Sequence, residues 1–132
     1  MILKQIIKKS LSLFVITYAL SMVLTAVTTV TSKDELSSTL KKQGSAVVVK
    51  FYADWCGACK MMKPLDQEME SAFQGKVGFI HVDIDQAKDA AEEHTIQGVP
   101  TYIFYKKGKE VDRQTGAMDK ATYQSKVKAL IQ

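Results

Sequence analysis

The sequence predicts an α/β domain: a central mixed sheet flanked by helices. Three observations lead there. Two runs rich in valine and aromatics, Ala46 to Ala53 and Val77 to Ile84, are separated by a stretch of helical periodicity. Two further β-rich runs flank Lys107-Gly108, which reads as a hairpin turn. The two cysteines of the chain fall where the first β-rich run meets the helical stretch.

Asp34 to Gln43 reads as a short helix, with Leu36 and Leu40 one turn apart and Gly44 as its stop. Ala46 to Ala53 contains three consecutive valines, which suits a strand covered on both faces. From Gly57 to Phe73 the apolar residues Met62, Leu65, Met69 and Phe73 recur at helical spacing. Pro64 lies inside this helix and is expected to kink it. Val77 to Ile84 is the next strand, and Ala87 to His94 a short helix. Thr101 to Tyr105 and Glu110 to Thr115 form the hairpin. Tyr123, Val127, Leu130 and Ile131 line one face of a final helix. The expected order is α-β-α-β-α-β-β-α, and a strand before Lys33 is poorly represented, so a sheet of four to five strands is expected.

The first 32 residues differ from the rest. They hold Lys4, Lys8 and Lys9, no acid, and an uncharged stretch from Leu11 to Val30. A charged flank followed by an apolar run is the pattern of a secretory signal. The run is also long enough to span a bilayer, although serines and threonines dilute it. The expectation is a signal peptide or membrane anchor over residues 1–32, and a folded domain over 33–132. Small-residue cleavage sites follow Ser21 and Ser32. In either case the lysines stay in the cytoplasm and the domain lies outside it. An arginine-rich transit peptide does not fit, because Arg113 is the one arginine in the chain.

Net charge supports this division. The chain carries +4, but the leader's three lysines leave fifteen basic residues against fourteen acids, a net of +1. The basic pI therefore does not argue for nucleic-acid binding, and no basic stripe interleaved with aromatics is present.

The chemistry is concentrated in Trp55-Cys56-Gly57-Ala58-Cys59-Lys60. A Cys-x-x-Cys at a strand–helix junction is a redox motif. Cys56 is expected at the helix start, where free N–H groups and the helix dipole favour an anion and raise the thiolate fraction. Cys59, one turn later, is placed to attack a mixed disulfide and release the substrate. A zinc site does not fit. Cys56, Cys59, His81 and His94 are the whole supply of Cys and His, and gaps of 21 and 12 residues match no usual finger spacing. A purely structural disulfide would close a tiny loop and constrain little. Asp83 and Asp85 read as strand-end and turn residues, and His94 as a surface or packing residue.

The segment Phe51-Tyr52-Ala53-Asp54-Trp55-Cys56-Gly57-Ala58-Cys59-Lys60 resembles the thioredoxin active site. Pro64 falls where thioredoxins kink the active-site helix. Gly98-Val99-Pro100-Thr101 resembles their substrate-binding loop, and Gly116-Ala117 their glycine-containing turn after the hairpin. The resemblance covers residues 33–132. A narrower one links Tyr52 to Cys56 and Gly116 to Asp119 with the C-terminal periplasmic domain of DsbD-type transmembrane reductant carriers.

The resemblance implies a thioredoxin fold of four to five strands and a protein-disulfide oxidoreductase activity. Cys56 would be the attacking thiol and Cys59 the resolving one. Trp55, Gly57, Ala58, Val99, Thr101, Gly116 and Ala117 would border the substrate, with Pro100 in the cis form. No small-molecule cofactor or metal is implied. The expected partners are protein disulfides or dithiols and an upstream electron donor such as a DsbD-type carrier. Nucleic acid is not among them, and the membrane is met only through the leader. The domain is expected to be a monomer, acting in a bacterial periplasm, free or anchored.

The chain also departs from the family pattern. Thioredoxins commonly bury an acid six residues before the first cysteine, where this chain has Lys50. A lysine often lies near that acid on the neighbouring strand, where this chain has His81. Lys50 is expected to stabilise a thiolate on Cys59, to act as a neutral base if burial strips its proton, or to extend outward to solvent. His81 is read as a strand-end polar residue or a second tuning group. Ala58 replaces the usual proline and is expected to make the couple more oxidising. A reductant is the leading reading. A general oxidant of folding proteins, a non-catalytic binding module and, more remotely, a metal chaperone are the alternatives.

Overall fold

The computed structural model describes residues 27–132. Nine elements follow in order: β1 (Thr28–Val30), α1 (Lys33–Lys42), β2 (Ala46–Tyr52), α2 (Gly57–Ala72), β3 (Gly78–Asp83), α3 (Lys88–Glu93), β4 (Thr101–Lys106), β5 (Lys109–Thr115) and α4 (Lys120–Leu130). The strands form one sheet in the order β1-β3-β2-β4-β5. β1, β3 and β2 run parallel, while β4 and β5 are antiparallel to their neighbours.

The sheet thus has five strands, the fuller of the four- and five-stranded forms expected. β1 is drawn from the end of the apolar stretch assigned to the leader. It pairs with Thr28 beside Ile80 and Val30 beside Val82. Val30 is fully buried. The folded unit therefore begins before residue 33. The signal or anchor expected upstream lies outside the described residues. Among those described, no helix is long and apolar enough to cross a membrane.

Local chemistry explains the element ends. Ser32 caps α1 by accepting from the Glu35 N–H at 3.2 Å, and Glu35 reaches back to the Thr31 N–H at 2.8 Å. Lys107 and Gly108 both have positive φ, 52° and 76°, as a two-residue hairpin turn with the right twist requires. Asp119 caps α4 by accepting from the Thr122 N–H. α2 continues through Pro64 as one helix of sixteen residues. Ile131, expected on the apolar face of α4, follows the helix end and is 42% exposed.

Helices cover both faces of the sheet. α1 and α3 bury Leu36 and Ala90 against Val47, Val49, Phe51, Ile80 and Ile103. α2 and α4 bury Met62, Met69, Tyr123 and Val127 against Val48, Phe79, Tyr102 and Phe104. Strand alternation sends successive residues of β2 to opposite layers, so the three valines serve both cores.

Candidate active site

β2 ends at Tyr52, and the chain turns through Ala53 to Trp55 before α2 begins. Cys56 occupies the N-cap of α2 with extended backbone, φ −81° and ψ 110°. Its sulfur accepts from the Cys59 N–H at 3.1 Å. This is where the helix dipole and unpaired amides stabilise a thiolate. Cys56 and Cys59 are joined as a disulfide with their Cα atoms 5.2 Å apart. Both are nearly buried, at 5% and 4% exposure.

The Val99–Pro100 bond is cis, as the resemblance implied. It brings the Val99 carbonyl oxygen to 3.5 Å from the Cys56 sulfur. Val99 packs against the pocket formed by Ala53, Cys56 and Cys59. The Thr101 hydroxyl donates to the Gly98 carbonyl at 2.6 Å, and the Gly116 N–H to the Pro100 carbonyl at 2.8 Å. Gly116 has φ +87°, a conformation that favours glycine, and it ties the end of β5 to the proline loop. Gly57 and Ala117 are exposed, and Ala58 is half-buried beside the sulfurs. Trp55 is 67% exposed. Its indole N–H donates to Asp85 Oδ2 at 2.9 Å. An apolar ring held in place beside a reactive sulfur is suited to meet a peptide.

Asp85 is a contact the sequence reading missed. It does lie in a turn, where its N–H donates to Asp83 Oδ1 at 2.9 Å. The turn also aims its carboxylate at Trp55.

Lys50 does not extend to solvent. It is 6% exposed, and its ammonium is bonded to Asp66 of α2. Asp66 is 2% exposed and accepts a second bond, from the Tyr102 hydroxyl, at 2.9 Å. Burial, then the Asp66 charge and the hydrogen bond to it, raise the Tyr102 hydroxyl far above the ordinary tyrosine range, so it remains a donor. His81 lies beside Lys50 in the sheet register, with Nε2 2.8 Å from Glu70 Oε1. The buried acid missing from β2 is therefore supplied by the opposite helix. Asp66 and Glu70 were not singled out in the sequence, although a signal existed. They stand 7 and 11 residues after Cys59, which places all three on one helical face.

These groups border one cavity of about 390 Å³ lined by Cys59, Lys50, Asp66, Glu70, His81 and Tyr52, among others. Cys59 opens onto it. Among the described residues no cluster has the makings of a metal site.

A proline-loop carbonyl, a helix-capping sulfur and a partner sulfur one turn on define a site for thiol–disulfide exchange. Comparison with known proteins narrows the class. The thioredoxin family model matches residues 27–129. Thioredoxin-2 of Saccharomyces cerevisiae is 38% identical over 99 residues, covering 75% of this chain and 94% of that protein. Thioredoxin of Equus caballus is 39% identical over 101 residues, covering 76% and 94%. Among solved structures, Plasmodium falciparum thioredoxin superposes with a TM-score of 0.70 at 37% identity, covering 77% of this chain and 98% of that one. The chain belongs to the thioredoxin family. It is a thioredoxin-type thiol–disulfide oxidoreductase with the Cys56–Cys59 pair as its redox centre.

Proposed function

We propose that this protein reduces protein disulfides outside the cytoplasm, with electrons supplied by a membrane carrier of the DsbD type. The observation that carries the exchange chemistry is the 3.5 Å approach of the Val99 carbonyl to the Cys56 sulfur. An extended substrate segment laid along this loop meets backbone polar groups on one side and the attacking sulfur on the other. The Cys56 thiolate attacks one substrate sulfur and the second substrate sulfur leaves as a thiolate. Cys59 then attacks Cys56, which releases the first substrate sulfur and closes the disulfide.

The extracytoplasmic assignment rests on the leader: three lysines, no acids, then an uncharged apolar run. The described residues add one condition. Cleavage after Ser32 would remove β1 and the cap of α1, whereas cleavage after Ser21 leaves both intact. If the leader is cleaved, the mature protein starts upstream of Thr28, which N-terminal sequencing of the secreted form checks.

The reduction potential of the Cys56–Cys59 couple, by equilibration of the protein with a thioredoxin of known potential, tests the direction of flow. A value near the roughly −270 mV of a thioredoxin supports a reductant that needs a donor. A value near the roughly −120 mV of a strong oxidant overturns this reading and makes the protein a disulfide donor.

A further inference from the structure

Release of substrate requires the Cys59 thiol to lose its proton. Cys59 is 4% exposed, so the proton leaves through the cavity on which the residue opens. Five titratable side chains from the sheet and the far turns of α2 line this space: Lys50 and Tyr52 from β2, Asp66 and Glu70 from α2, and His81 from β3. Asp54, Lys60 and Lys63 complete its charged lining.

Their bonding sorts them. Lys50 is committed to Asp66. Asp66 has both oxygens occupied, one by Lys50 and one by the Tyr102 hydroxyl. His81 is arranged differently. Its Nε2 lies 2.8 Å from Glu70 Oε1, so the carboxylate holds the ring on that side and Nδ1 is the nitrogen left for proton transfer. The edge-on ring of Tyr52, 6.1 Å from the imidazole between centroids, packs beside it. Glu70 Oε1 is buried with no partner nearer to hand than His81, so its charge offsets the one that forms on the ring when Nδ1 takes up a proton. The side chain of His81 is 24% exposed and can pass a proton on to bulk solvent. A base held by a carboxylate and facing a nucleophile's cavity is the arrangement that activates nucleophiles generally.

We propose that His81, oriented by Glu70, accepts the Cys59 proton through solvent in this cavity during resolution of the mixed disulfide. This rests on the role of Cys59 as resolving thiol given above. The proton passes from Cys59 Sγ to His81 Nδ1. The electron pair left on Cys59 forms the bond to Cys56 Sγ. The bond from Cys56 to the substrate sulfur breaks, and its electron pair leaves on that sulfur, which solvent protonates. The two cysteines are oxidised by two electrons and the substrate disulfide is reduced by two. The imidazolium returns its proton to solvent. His81 is a positioning and proton-accepting group that acts through solvent.

Stopped-flow mixing of the reduced full chain with the disulfide of thionitrobenzoate separates the steps. The first thionitrobenzoate released reports attack by Cys56, and the second reports resolution by Cys59. His81→Gln should leave the first phase unchanged and slow the second by about 10- to 100-fold near neutral pH. It should also flatten the pH dependence of the second phase. Added free imidazole should restore part of the rate. Glu70→Gln, which keeps an acceptor beside Nε2 but removes the counter-charge, should slow the second phase by a smaller factor. A second phase of wild-type rate and pH profile in His81→Gln overturns the proposal. So does a profile abolished by Lys50→Met and kept in His81→Gln, which would make Lys50 the responsible group. Cys59→Ser should lose the second phase. If it kept that phase, the resolving role of Cys59 would fall, a failure distinct from that of His81.

Discussion

The two faces of the sheet are made by the same strands and could hardly differ more in chemistry. Toward α1 and α3 the sheet presents Val30, Val47, Val49, Phe51, Ile80, Val82 and Ile103, each buried to within 1% of complete. Toward α2 and α4 it presents a polar row, His81, Lys50 and Tyr102, next to an apolar one of Phe79, Val48 and Phe104. α2 answers that row with Asp66 and Glu70. Side-chain alternation along a strand lets one backbone support a purely apolar scaffold and a charged site, one residue apart. The apolar face is held by area removed from water, which tolerates exchanges of shape. The polar face is held by matched partners, which does not.

The largest expected effect tests that contrast directly. Asp66→Ala leaves the Lys50 ammonium buried without its partner and should cost about 3–5 kcal/mol in denaturant unfolding. Replacing both partners with apolar residues of similar volume, Lys50→Met with Asp66→Leu, should recover most of that stability. If the double variant is as unstable as the single one, matched partners are not what holds this face.

On the other face, Ile80→Val removes one methylene from a fully buried site and should cost about 0.5–1.5 kcal/mol. Exchange activity per folded molecule should be unchanged. A loss of activity in that variant would mean that the two faces are coupled through the strands.

The smallest effect sharpens the comparison by leaving both faces alone. Glu110 is held below the ordinary carboxylate range by its hydrogen bond from Arg113, partly opposed by burial. Asp119 is lowered by hydrogen bonds from the Thr122 N–H and hydroxyl. As the pH falls through the ordinary carboxylate range, the unfolded chain takes up these protons first. Their contribution is therefore complete at neutral pH and lost as the pH falls through their lowered values. A melting temperature followed down to about pH 2 should decline gradually. The decline should weaken in Arg113→Gln, and an identical curve would show that the pair contributes nothing.

Much of the fold was legible because periodicity is local. Three valines, an apolar stripe from Met62 to Phe73 and a lysine–glycine turn each declare their element without reference to the rest of the chain. β1 was not legible. Thr28-Thr29-Val30 is too short to show alternation and continues the apolar leader. It is a strand because β3 offers an unpaired edge, and Gln43 steadies it through a 3.1 Å bond to the Thr28 hydroxyl. Gly78 makes room for that glutamine, since a Cβ there would come within 2.9 Å of Gln43 Cβ.

In the site, the same division holds. The Cys-x-x-Cys spacing and its place before a helix were sufficient to name the two reacting sulfurs, because a thiolate at a helix start is a matter of a few consecutive residues. The charges on α2 could be read as an ordinary solvated helix face, since nothing local distinguishes an exposed Asp66 from a buried one. Which face of the helix meets the sheet decides that, and so decides that Lys50 has a partner, that His81 has Glu70, and that all of them lie beneath Cys59. Sequence alone determined the redox pair and the order of nearly every element, because these depend on neighbours in the chain. Tertiary structure decided the fifth strand and the charged cavity, because an ion pair between β2 and α2 exists only once the two are packed together.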